Sequence, residues 1–188
     1  MPTLMYILRS SLSRPTFFAK TGLAMDSVIA TLDRMMLDRG QGKVLDSKST
    51  RLCFMQRRYA STTVFVVRSR KMKVTTVRSM IEGLPAGHRA VFVGAGVPTS
   101  FSKKEIKASM SQYFMTKELL FPVTDHPLVP LHKKVAAPPS GMAKQDLPGI
   151  EETDPVCRYY WLKPGDVVEI DRGGYKYYRV VVTSSSSD

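Results

Sequence analysis

Cysteine is nearly missing from this chain. Cys53 and Cys157 stand far apart and in no C-x-x-C arrangement, which argues against a disulfide framework or a cysteine-rich zinc site and fits a reducing compartment such as cytosol or nucleus. Each reads as a small core residue. No apolar run approaches the roughly 18 residues that a helical membrane span needs, so no membrane partner is expected. Acidic residues are scarce where basic ones are plentiful. Residues 1–124 hold 20 Lys+Arg against 7 Asp+Glu, while residues 125–188 hold 8 against 9. All of the +12 net charge therefore lies in the first two thirds. Phosphate attraction accumulates over a basic surface, whereas a protein-docking surface is usually closer to neutral. The split predicts one part facing a polyanion and another facing protein; a solvated basic face with no ligand would give the same counts.

Motifs for catalysis are missing as well. The run Gly94-Ala-Gly-Val-Pro98 lacks the later glycine and lysine of a phosphate loop, and no nucleophile elbow occurs. Glu105-Ile-Lys107 has the E-x-K form used by metal-dependent nucleases, but no second carboxylate accompanies it, and Glu105 reads as the capping-box partner of Ser102. His126 and His132 have no third or fourth ligand at zinc-like spacing, so they are expected to be structural or docking residues. The expectation is a protein that is not an enzyme, with no cofactor, metal or small-molecule substrate.

What is present is the material of an α+β protein. The apolar fraction of 43% with 23% charged residues is that of a globular chain, and 188 residues allow one large domain or two unequal ones. Residues 24–39 read as a helix capped by Asp26, with Val28, Ile29, Leu32, Met35 and Met36 on one face and Gly40 closing it. The β-rich runs 51–56 and 62–68 predict a hairpin with Arg57 and Arg58 at its tip. A helix over 72–82, a strand over 90–94, a helix from Ser102 to about Phe114 and a strand over 118–123 follow. Pro- and Gly-rich residues 136–149 read as a loop. Asp154 caps a short helix with Pro155 at its first position, Lys163-Pro-Gly-Asp166 is a tight turn, and 166–172 pairs with 176–182 around Gly173-Gly174. The polar tail is expected to fray. No internal repeat is visible.

Residues 1–25 contain Arg9, Arg14 and Lys20, several hydroxyl residues and no acid, the composition of a mitochondrial presequence. A family-specific extension, or a start codon assigned too early with Met25 as the older start, gives the same pattern.

His126-Pro-Leu-Val-Pro-Leu-His132, Leu147-Pro-Gly-Ile150, Asp154-Pro-Val-Cys-Arg-Tyr-Tyr160, Lys163-Pro-Gly-Asp-Val-Val-Glu-Ile170 and Tyr178-Arg-Val-Val-Val182 occur in one order. Together they resemble the C-terminal assembly domain of the fifth subunit of eukaryotic RNA polymerases, shared among polymerases I, II and III, whose archaeal counterpart consists of that domain without the jaw. Upstream, the helix ending at Gly40, the strand-to-helix segment 91–110 and the entry at Glu118–Thr124 are similar to the eukaryotic protein's N-terminal jaw domain. The resemblance implies an extension at 1–24, a jaw-like sheet with covering helices at 25–124, an assembly domain ending in a β-hairpin at 125–183 and a tail at 184–188.

It also implies a non-catalytic subunit of a nuclear, DNA-directed RNA polymerase, docked on the largest subunit with the jaw beside downstream duplex DNA. Docking is then expected at His126, Leu128, Val129, Pro130, His132, Asp154, Pro155, Val156, Arg158, Tyr159, Tyr178 and Arg179. The aromatic concentration Tyr159, Tyr160, Trp161, Tyr175, Tyr177 and Tyr178 divides between interface and core. Non-specific phosphate contacts are expected from Arg57, Arg58, Arg70, Lys71, Lys103, Lys104 and Lys107, on turns and helix starts. Two departures from the family pattern stand out. Residues 136–146 are short and broken by Pro138, Pro139 and Gly141 where the family has a helix, and the loop at 171–174 is compressed. Both point towards a divergent paralogue serving one polymerase, such as nucleolar polymerase I. The rival reading is a stand-alone basic nucleic-acid-binding protein, organellar if the first residues are a mitochondrial presequence.

Overall fold

The computed structural model describes residues 17–184, with side chains from residue 24 onward. The first 16 residues of the presequence-like stretch and the tail from 185 lie outside them. Helix α1 (Phe17–Asp38) starts well before Asp26, which lies inside it and not at its cap. Ala19, Leu23, Ala24 and Met25 are good helix formers, so nothing obliges the chain to begin the helix at an aspartate. Val28, Leu32, Met35 and Met36 are fully buried, as their spacing predicts. The helix ends in a Schellman motif: the Gly40 N–H bonds the Leu37 carbonyl at 2.9 Å and the Gln41 N–H bonds the Met36 carbonyl at 2.8 Å. Gly40 takes φ 72° there, a conformation that costs an L-residue energy.

Strands β1 (Asp46–Lys48), β2 (Cys53–Arg58), β3 (Thr62–Val67), β4 (Arg89–Gly94) and β5 (Gln112–Met115) form one sheet in that order. The first three are antiparallel; β3, β4 and β5 are parallel. The two parallel crossovers are α2 (Val74–Glu82) and α3 (Ser100–Ala108). All six residues of β3 are buried, as expected of a strand covered on both faces. Val64, Val66, Val91 and Val93 pack on the α1 side, and Phe65, Phe92 and Ala90 pack with Val77, Met80 and Ile106 on the other.

Three expectations fail in and beside this sheet. The cap of α3 is Thr99, whose side chain accepts the Ser102 N–H; Ser102 is buried and donates to the Met72 carbonyl at 2.7 Å. Glu105 accepts from Arg78 Nε at 2.9 Å and is no capping-box partner. The helix stops at Ala108, where Met110 turns to φ 51°, and Phe114 falls in β5. The run 118–123 forms no strand. A 3-10 turn spans Thr116–Leu119, Glu118 Oε2 accepts the Met115 N–H at 2.6 Å, and Pro122 has no N–H to give a ladder.

A second sheet holds β6 (Leu131–Val135), β7 (Gly149–Glu151), β8 (Val167–Asp171) and β9 (Lys176–Val182) in the order β6–β8–β9–β7. Only β7–β9 is parallel. The β6 strand is unannounced in sequence beyond the extended bias of Pro127 and Pro130. Residues 136–143 carry no regular structure, followed by a 3-10 turn at Lys144–Asp146. Helix α4 (Pro155–Tyr160) begins as predicted, with Asp154 Oδ1 accepting the Val156 N–H at 2.8 Å. Its C-cap is Trp161, in the left-handed region at φ 57°. The next turn places Gly165 at φ 88° and returns the Asp166 N–H to the Lys163 carbonyl at 2.9 Å, as a Pro-Gly type II turn should. Two mixed sheets with few helices make the class α+β.

Candidate functional site

The two sheets meet at the end of α4. Tyr159 is buried in the α1 core, and its hydroxyl donates to Asp38 Oδ2 at 2.7 Å. Arg158 reaches the other way, donating from Nη1 to Glu118 Oε1 and from Nη2 to the Tyr113 carbonyl, both at 2.6 Å. Just past the end of α1, Arg39 returns the contact: Nε donates to the Tyr159 carbonyl, and Nη2 to the Arg158 carbonyl and to Gln112 Oε1. A helix of six residues thus has its last carbonyls capped by a guanidinium from just past a distant helix.

Trp161 follows, and three cations surround its ring: Arg39 at 4.8 Å, Lys163 at 5.4 Å and Arg89 at 5.6 Å from the centroid. Burial pushes the Arg39 pKa down to about 9; Tyr159 opposes that and the neighbouring Arg158 adds to it. Arg39 Nη1 and Trp161 Nε1 are both out of solvent contact and lack a hydrogen-bond partner among the described residues. Trp161 lines a pocket of about 190 Å³ together with Arg39 and Arg89. It also lines a groove of about 700 Å³ against α3, with Lys103 and Lys107 on its wall. Little in the sequence announces this cluster, because its members come from the residue after α1, from β4 and from the turn after α4.

The expected phosphate-contacting residues fall into separate groups. Arg70 and Lys71 in the β3–α2 loop and Lys103 and Lys104 in the first turn of α3 lie at the carboxyl end of the parallel strands, all exposed. Lys107 is one turn further along α3. Arg58 pairs with Thr63 at the amino end of β3, so it lies about 20 Å away, a strand's length. Arg57 also sits in strand β2 and not in the turn, which is made by 59–61. It donates to both oxygens of Asp33 on α1, one of them at 2.6 Å, and is only 18% exposed. Its charge is neutralised within the chain.

The expected docking residues also divide. Leu128 is 84% exposed and its unpredicted neighbour Leu131 68% exposed, while Val129 and Pro130 are half-buried. The run expected to be extended turns here: the Val129 N–H bonds the His126 carbonyl at 2.9 Å and the Leu128 N–H bonds His126 Nδ1 at 3.2 Å, while His132 Nδ1 lies 2.7 Å from the Pro130 carbonyl. Pro155 is exposed at the start of α4, but Val156 and Tyr159 are interior, and Arg158 is engaged by Glu118 and Tyr113. On the second sheet the Tyr178 hydroxyl donates to Glu169 and Arg179 donates to the Gly149 carbonyl, whereas Tyr175 projects, 64% exposed. Among the described residues no group of three or more His, Cys, Asp or Glu converges as a metal site, and no helix is long and apolar enough to cross a membrane.

Residues 121–181 match the family model described as RNA polymerase Rpb5, C-terminal domain. The span takes in the exposed 126–132 segment, α4 and nearly all of the second sheet. The chain is 30% identical over 137 residues to the DNA-directed RNA polymerases I, II, and III subunit RPABC1 of Caenorhabditis elegans, covering 63% of this chain and 65% of that subunit. The corresponding subunit of Dictyostelium discoideum is 33% identical over 140 residues, 63% of this chain and 71% of the relative. DNA-directed RNA polymerase subunit Rpo5 of Archaeoglobus fulgidus is 35% identical over 74 residues, which is 33% of this chain but 97% of that protein. The chain spans just under two thirds of the nematode subunit's length.

Proposed function

The chain belongs to the family of the fifth RNA polymerase subunit, and from that we propose that it is a non-catalytic, structural subunit of a nuclear DNA-dependent RNA polymerase. The observation that carries this is the family match over 121–181, the segment that bears the exposed Leu128 and Leu131. This C-terminal part docks on the largest subunit. Leu128 stands at the corner of a turn closed by the Val129 N–H on the His126 carbonyl at 2.9 Å, and Leu131 opens β6, so both present apolar area from ordered backbone at little entropic cost on binding. Their burial would provide the water-excluded core of an interface.

The N-terminal sheet is the part that faces DNA. Its charge favours this: residues 1–124 hold the whole basic excess, and Arg70, Lys71, Lys103 and Lys104 share one end of the parallel strands. Such contacts are to phosphate, sensitive to salt and indifferent to sequence. The shortened 136–146 segment and compressed 171–174 loop support a specialised copy serving one polymerase. Affinity purification of the tagged chain with mass spectrometry tests the reading and identifies which polymerase's largest subunit accompanies it. Recovery of no large polymerase subunit at mild salt would contradict it.

A further inference from the structure

The junction around Trp161 holds more positive charge than the chain neutralises. Arg89 is exposed and its guanidinium has no hydrogen-bond or ion-pair partner among the described residues; its contact is with the Trp161 ring at 5.6 Å. Arg39 Nη1 and Trp161 Nε1 are buried donors without acceptors, a costly state unless something completes it. Burial and then the nearby Arg89 push the Lys163 ammonium pKa down, with Glu152 opposing and Arg39 adding to the effect. The cations are therefore near enough to repel one another. No carboxylate lines the 190 Å³ pocket. Gln41 Oε1 accepts from Ser61 N–H, Ser61 Oγ and Thr62 Oγ1, which leaves the donating end of its amide free. Apart from the Tyr160 hydroxyl, which can donate or accept, the side-chain polar groups that line the pocket without a partner are hydrogen-bond donors.

We propose that the junction is a docking site for an acidic, partly apolar polypeptide segment, one carboxylate of which enters the small pocket beside Arg89 and the Gln41 amide. The rest of the segment follows the larger groove past Lys163 and Lys107, over Ile106, Met110 and Leu162. Three features favour a peptide over nucleic acid. A carboxylate on its flexible stem can enter a recess that the convex backbone of a duplex cannot. The groove mixes three lysines and Arg158 with aliphatic walls and a single carboxylate, Glu152, which match a chain of alternating acidic and apolar side chains better than a phosphate backbone. With three cations over its ring, Trp161 has little free face on which a base could stack. The site is built from this chain alone and does not depend on its assembly into a polymerase.

The test is fluorescence anisotropy with the full chain and three labelled probes: a Glu-rich peptide with interspersed Leu, the same peptide with Gln for every Glu, and an oligothymidine of matched charge. Arg89→Gln/Lys163→Gln is compared with Lys48→Gln/Lys73→Gln, an equal charge change on exposed residues elsewhere. The Glu peptide is expected to bind the unaltered chain, to weaken about tenfold or more in the first double variant and to be little changed in the second. The Gln peptide is expected not to bind. Gln41→Glu, which adds a carboxylate to the pocket and keeps the acceptor for Ser61 and Thr62, is expected to weaken the Glu peptide likewise, an arm that stands if the double variant folds poorly. Three results would overturn the proposal: no binding of the Glu peptide, equal loss in both double variants, or tighter binding of oligothymidine that Arg89→Gln/Lys163→Gln abolishes. The last would make the junction a nucleic-acid site.

Discussion

Arg39, just past the end of α1, donates its Nε–H to the Tyr159 carbonyl at 2.6 Å, across 120 residues of chain. Its second branch takes the Arg158 carbonyl at 2.8 Å, so one planar fork closes the C-terminus of α4 and ties the two sheets together. Lysine keeps the charge but cannot make this fork. Arg39→Lys is expected to cost about 2–3 kcal/mol, since hydrogen bonds to charged groups are worth roughly that. The urea midpoint reads the loss; an unchanged midpoint would mean that the fork does not hold the sheets.

Two phenols give the fold an alkaline limit. Tyr59 donates to Asp33 and Tyr159 to Asp38, each at 2.7 Å. Burial first, and the partner carboxylate second, raise both above the ordinary value of 10.0. Above about pH 10 the unfolded chain releases these protons while the folded chain keeps them, so the stabilisation is complete below that pH and is lost as pH rises towards the folded values. Thermal midpoints are expected to fall above about pH 10, and to fall less steeply in Tyr159→Phe. Parallel slopes for the two proteins would contradict the assignment.

A close approach of backbones explains one glycine. A Cβ on Gly96 would stand 2.3 Å from the Arg70 carbonyl oxygen, whereas one on Gly174 would meet nothing within 4 Å. Gly96→Ala is expected to destabilise by about 1–3 kcal/mol, the usual cost of overpacking, and Gly174→Ala to leave the melting temperature nearly unchanged. Equal effects from the two would show that the β3–α2 loop yields to accommodate the methyl group.

Salt dependence tests whether the carboxyl end of the parallel strands faces DNA. If Arg70, Lys71 and Lys104 each neutralise a phosphate of duplex DNA, their joint replacement by Gln lowers the slope of log affinity against log salt by roughly 0.9 for each phosphate no longer neutralised. A slope that does not change would remove this end of the sheet from the DNA-facing surface.

Local signals carried much of this fold. The apolar stripe of α1, the Asp154-Pro155 start of α4 and the Lys163–Asp166 turn each depend on residues a few positions apart. The corrections came where tertiary partners overrode such signals. Ser102 looks like a cap but donates to Met72, Glu105 is drawn to Arg78, and Pro122 with Glu118 turns an apolar run into a 3-10 turn. Arg57 looks like a free tip residue because Asp33 is distant in sequence. The resemblance picked out the motifs of 126–182, but neither the β6 and β7 strands nor the engagement of Arg158 and Tyr159 with this chain's own first sheet. The Arg39–Trp161–Arg89 cluster depends on three segments that only the fold brings together.

The most direct measurement is the amount of largest polymerase subunit recovered with the tagged chain, for the unaltered protein and for Leu128→Asp/Leu131→Asp. Both leucines are mostly exposed, at 84% and 68%, so the double variant is expected to melt as the parent does. Docking through this segment predicts near-stoichiometric recovery with the parent and at least a tenfold loss with the variant, as expected when charge enters a buried interface core. Equal recovery with both, or none with the parent, would contradict docking through the C-terminal segment.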